Sequence, residues 1–79
     1  MRKLPLSRRI TVDNKIMLGK PVIRGLRITV DQILKALAAG IAEEDLLQDY
    51  PELEPDDIRA VLAYASDLVG DERVYQVAL

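Results

Sequence analysis

Residues 29–40 read Thr29-Val30-Asp31-Gln32-Ile33-Leu34-Lys35-Ala36-Leu37-Ala38-Ala39-Gly40, and this stretch decides the fold. Thr29 suits a helix N-cap because its hydroxyl can accept from an amide of the first turn, and Gln32 three residues on completes a capping box. Val30, Ile33, Leu34, Leu37 and Ala38 then recur at i, i+3, i+4, i+7 and i+8, which is one helical face. Gly40 suits the left-handed position just past a helix end.

Two more helices follow. One is expected over residues 43–49, with Glu43, Glu44 and Asp45 in its first turn, where negative charge meets the positive end of the helix dipole. Ala42 is a poor N-cap for it. Leu46, Leu47 and Tyr50 supply its apolar side, and Pro51 ends it. The third starts at Pro55, an apt first helical residue, with Asp56 and Asp57 beside it. Ile58, Val61, Leu62, Ala65 and Leu68 give its stripe, and Gly70 stops it. Helices this short are marginal alone and must pack together. The tail, residues 71–79, reads either as a short strand with Tyr75, Val77 and Leu79 on one side or as a frayed terminus.

Upstream, the pattern changes period. Residues 1–9 form a basic lead. Arg9-Ile10-Thr11-Val12-Asp13 alternates and is rich in β-branched residues, so it reads as a strand. Asp13-Asn14 signals a turn, and Gly19-Lys20-Pro21 a bend in which Lys20 is extended because it precedes proline. Pro21-Val22-Ile23, Arg24-Gly25 and Leu26-Arg27-Ile28 read as a short hairpin. The fold class expected is mainly α: a small trihelical, helix-turn-helix bundle with a short N-terminal β-strand and hairpin element. Residues 1–79 form one domain on this reading, with a basic β-rich part over 1–29, a three-helix core over 30–70 and a tail over 71–79.

The 79 residues contain no cysteine, no histidine, no Phe and no Trp, so the core is aliphatic and no disulfide can staple it. His- and Cys-based catalysis and metal binding are excluded by composition. Gly19-Lys20 lacks the flanking residues of a phosphate loop. The carboxylate clusters sit at helix starts, where structure alone explains them. No enzyme activity, cofactor, metal or small-molecule substrate is expected. No apolar run approaches a membrane span and the start lacks the apolar stretch of a secretory signal, so a cytoplasmic location is expected.

The net charge of −2 hides a split. Residues 1–29 hold eight cations against Asp13 alone, a net of +7, and residues 30–79 hold three against twelve acids, a net of −9. A cationic ribbon at one end and an anionic bundle at the other are thus expected as two docking surfaces. The start of the third helix, Pro55-Asp56-Asp57-Ile58-Arg59, would repel phosphates, so any DNA contact should come from Arg8, Arg9, Lys20, Arg24 and Arg27. The acidic helices, or the Tyr75, Val77 and Leu79 side of the tail adding a strand to a partner's sheet, would meet a protein. A homodimer through the unpaired strand 9–13 is expected, since a bare strand edge seeks a partner.

These features together resemble one family of short bacterial and archaeal proteins, domain of unknown function 433. The resemblance rests on Arg9–Asp13, on Gly19-Lys20-Pro21-Val22-Ile23-Arg24-Gly25-Leu26-Arg27-Ile28-Thr29-Val30, and on Ile33-Leu34 with Leu37-Ala38-Ala39-Gly40. It continues through Glu43–Pro51 and Asp57–Ala65. Leu18 stands where a first glycine is common, Leu26 where threonine usually follows the hairpin glycine, and Ala42 and Glu54 where Ser or Thr caps are usual. The resemblance implies a homeodomain-like helical core, often dimeric, and an antitoxin paired with a PIN-like nuclease toxin that also binds operator DNA. The alternative it implies is a DNA-binding transcriptional regulator without a toxin partner. It carries no catalytic residues over.

Overall fold

The computed structural model describes residues 4–70. A short 3-10 turn, Leu6–Arg8, leads into strand β1 (Ile10–Thr11), followed by a second turn at Met17–Gly19 and strand β2 (Val22–Ile23). Three helices complete the order: α1 (Val30–Ala38), α2 (Glu43–Asp49) and α3 (Pro55–Val69). The protein is mainly helical, with a small β element at its N-terminal end. The α2–α3 pair is joined by the turn over residues 50–54 and has helix-turn-helix connectivity.

The capping box forms as its residues dictate. The Gln32 amide N–H donates to Thr29 Oγ1 at 3.0 Å, and the Thr29 amide N–H donates to Gln32 Oε1 at 2.9 Å. At α2, Ala42 supplies no side-chain cap. Ile23, Ile28, Val30, Ile33, Leu46, Leu53, Ile58 and Val61 form one aliphatic core, drawn from the ribbon and all three helices. Truncating a central member such as Ile33 to alanine should cost about 2–5 kcal/mol.

Three expectations need correction. The strand is shorter than residues 9–13 and is not bare: β1 pairs antiparallel with β2, Ile10 opposite Ile23 and Thr11 opposite Val22. One edge of β1 is thus paired within the chain. The hairpin over 21–28 closes through an isolated antiparallel bridge, Val22 opposite Thr29, and not through a second full strand. Arg24 (φ 46°) and Gly25 (φ 72°) are both left-handed, as a type I′ turn requires, and the Leu26 N–H donates to the Ile23 carbonyl at 2.8 Å. The Ile23 N–H then bonds the Ile28 carbonyl at 3.0 Å. Finally, α3 buries Ile58 and Val61 as expected but leaves other members of its stripe exposed. Asp57, Ile58, Ala60 and Val61 are buried, whereas Leu62 and Leu68 are 50% and 60% exposed. At 15 residues α3 outruns the nine of α1 and the seven of α2, so its distal half has less to pack against.

Candidate functional site

Asp57, expected only as a favourable charge at the start of α3, is drawn inside the fold. Asp57 is 0% exposed and occupies the first turn of α3. Its Oδ1 accepts from Arg9 Nη1 at 2.9 Å and Arg24 Nε at 3.0 Å, and its Oδ2 accepts from Arg24 Nη2 at 2.9 Å and the Glu54 amide at 2.8 Å. The last of these satisfies an amide at the start of α3. The ribbon delivers both arginines to one point: the Arg24 N–H donates to the Arg9 carbonyl at 2.8 Å, which makes the two residues neighbours beside the β1–β2 pair.

The two guanidiniums make further bonds. Arg9 Nη1 reaches Glu54 Oε1 at 2.8 Å and Arg9 Nε the Leu4 carbonyl at 3.0 Å. Arg24 Nη2 reaches the Glu52 carbonyl at 2.7 Å, in the turn between α2 and α3. Two guanidiniums thus face the carboxylates of Asp57 and Glu54, and no buried side-chain polar atom lacks a partner among the described residues. Burying a charge is costly unless it is paired and hydrogen-bonded, and this cluster meets both conditions. Burial pushes the Asp57 carboxyl up, but the hydrogen bonds from Arg24, the Glu54 amide and Arg9 outweigh it and hold the carboxyl below its ordinary value. Hydrogen bonds to Glu54 and Asp57 raise Arg9, and the bond to Asp57 raises Arg24.

This cluster corrects the expected DNA-binding set. Arg9 is 3% exposed and Arg24 is held on Asp57, so neither offers a free cation to a polyanion. The charge split is therefore partly cancelled inside the molecule. Arg8, Lys20 and Arg27 are exposed and have no ion-pair partner among the described residues. Lys20 and Arg27 line one open groove of about 400 Å³ with Asn14, Lys15, Met17 and Leu18, and Arg8 is not part of it. Lys15 belongs to the eight cations of residues 1–29, and neither it nor Leu18 is among the residues expected to bind DNA. The signal for Leu18 was the missing glycine. Tyr75, Val77 and Leu79 lie outside the described residues.

The opposite charge is carried by α2. Glu43, Glu44, Asp45 and Asp49 are exposed and unpaired among the described residues, while Leu46 is buried and Leu47 and Tyr50 pack on the core. Among the described residues no three His, Cys, Asp or Glu side chains are grouped to hold a metal ion, and no helix is long and apolar enough to cross a membrane.

Comparison with known proteins agrees with the pattern read from the residues. The chain is 35% identical over 68 residues to a protein of Sinorhizobium fredii described as "Uncharacterized protein y4eO". The match covers 84% of this chain and 31% of that protein, so the chain spans about a third of the length of this relative. No solved structure matches. The model of the family described as "Protein of unknown function (DUF433)" matches residues 10–65, from the first strand to the middle of α3, and the chain belongs to that family.

Proposed function

We propose that this protein is an antitoxin-type binding module that neutralises a PIN-like nuclease toxin. The supporting observation is the carboxylate face of α2, made by Glu43, Glu44, Asp45 and Asp49 and unpaired among the described residues. A nuclease must offer cationic surface to a polyanionic substrate, and an acidic helix on a rigid core is complementary to such a surface. The compartment proposed is the cytoplasm, where toxin and DNA are both met. Co-expression with the product of a neighbouring PIN-like reading frame tests this. A complex should form and nuclease activity should fall. Glu43→Lys with Glu44→Lys and Asp49→Lys should slow association at least tenfold at low salt, with the fold unchanged. Nuclease activity that persists under excess wild-type protein rules the reading out.

A second reading, a DNA-binding regulator, is favoured by the groove in which Lys15, Lys20 and Arg27 converge. It predicts duplex binding that weakens steeply with salt in the absence of any toxin.

A further inference from the structure

The turn beside that groove has an unusual backbone. Met17, Leu18 and Gly19 have φ values of 50°, 58° and 80°, three left-handed residues in succession. The turn is closed by the Gly19 N–H on the Ile16 carbonyl and the Lys20 N–H on the Met17 carbonyl, both at 3.1 Å. A Cβ disfavours this conformation, so Met17 and Leu18 adopt it against their intrinsic preference. Gly19 is fitted to it: besides its φ, a Cβ there would lie 3.0 Å from Asn14 Oδ1. The surroundings hold the turn at both ends, through the Lys15 N–H on Asp13 Oδ1 at 2.8 Å and the Val30 N–H on the Pro21 carbonyl at 3.0 Å. The result is a braced tip that presents Leu18 to solvent at 94% exposure. Lys15, Lys20 and Arg27 share its groove, and none has an ion-pair partner among the described residues.

We propose that this tip is a wedge for duplex DNA: Lys15, Lys20 and Arg27 hold backbone phosphates while Leu18 enters the minor groove and inserts at a base step. The inference rests on the DNA-binding reading and gives it a site and a mode. Three cations, unpaired among the described residues, select an anionic surface and oppose self-association through the same tip. One leucine is a small part of the roughly 800 Å² per partner that a specific protein interface buries. In duplex DNA the demands are divided differently. Counterion release at the phosphates supplies affinity, and a single inserted apolar side chain suffices to unstack a step. The wedge must be held rigidly to do so, which the left-handed turn provides. The start of α3 is unsuited to a groove, because Asp57 there is buried beneath the ribbon.

The test uses the full chain and an A·T-rich duplex of about 20–30 base pairs with 2-aminopurine beside a central TA step, the kind of step that opens most easily. The wild type should raise 2-aminopurine fluorescence and bind with a log–log salt slope of about −2.7, as three phosphate contacts require. Lys20→Ala with Arg27→Ala should bring the slope to about −0.9. Leu18→Gly, which suits a left-handed φ and should keep the fold by circular dichroism, should leave the slope alone, abolish the fluorescence rise and weaken binding about tenfold. Equal affinity and fluorescence in wild type and Leu18→Gly would overturn the wedge while leaving DNA binding standing. An unchanged slope in the Lys20/Arg27 double variant would overturn the phosphate assignment. No duplex binding at low salt, with or without binding to vesicles of anionic phospholipid, would overturn both the wedge and the DNA-binding reading.

Discussion

Two groups of basic residues lie within the same short N-terminal part and have opposite fates. Arg9 and Arg24 are drawn onto Asp57 and become part of the interior, whereas Lys15, Lys20 and Arg27 stay at the rim of an open groove. What separates them is the element each faces. The ribbon lays Arg9 and Arg24 across the start of α3, which offers Asp57, Glu54 and the Glu52 carbonyl. The turn over 13–20 offers its cations only Asp13, and that carboxylate is engaged by the Lys15 amide. A charge tally along a chain therefore says little about surface charge until the pairing inside the fold is known.

The contrast is most severely tested at Asp57. Asp57→Ala should destabilise the protein by about 3–5 kcal/mol in urea unfolding, because it leaves two guanidiniums without their shared partner. That is a large share of the roughly 4–12 kcal/mol expected for a domain of this size. A loss below about 1 kcal/mol would mean that the cluster is not a structural centre. Arg24→Ala should cost less, about 1.5–3 kcal/mol, since Asp57 keeps Arg9 and the Glu54 amide. In a double-mutant cycle Arg9→Ala and Arg24→Ala should be non-additive, because both act on one carboxylate.

Acid provides the next measure. The folded Asp57 carboxyl lies below its unfolded value near 3.8, so on acidification the unfolded chain takes up the proton first. The stability it contributes is complete above that value and is lost as pH falls from there through the folded pKa. The urea midpoint of the wild type should drop across this window, and Asp57→Asn should flatten the drop. The smallest effects belong to the exposed group. Lys20→Ala and Arg27→Ala should each change stability by no more than about 0.5 kcal/mol. Leu18→Gly should be neutral or stabilising by up to about 1 kcal/mol, as relief of the left-handed backbone offsets added chain entropy. A large loss from any of these three would erase the distinction between the two groups.

Helix boundaries were legible because they depend on neighbours in sequence. Thr29 with Gln32 placed the start of α1, Pro55 the start of α3, and Asp13 the turn after β1. The partner of β1 was not legible, since a two-residue strand carries almost no period and its mate lies across a turn of unusual backbone. The ion cluster was hidden for a different reason. An aspartate at a helix start already has a local explanation in the dipole, so nothing in the order of residues marks Asp57 as buried or Asp56 as its outer neighbour. Of the expected cationic set, Lys20 and Arg27 line the groove. Lys15 joins them only because the turn doubles back, and Leu18 stands out only once its φ is known.

The bond between Arg9 and Asp57 spans 48 positions, so the surroundings of β1 are completed only by α3. During synthesis, Arg9 leaves the ribosome long before its counter-charge exists. The ribbon cannot settle on a partial product, and no shortened fragment ending before α3 should hold β1 in place. A nascent molecule of this kind acquires its structure only once α3 has emerged, and until then is open to proteases.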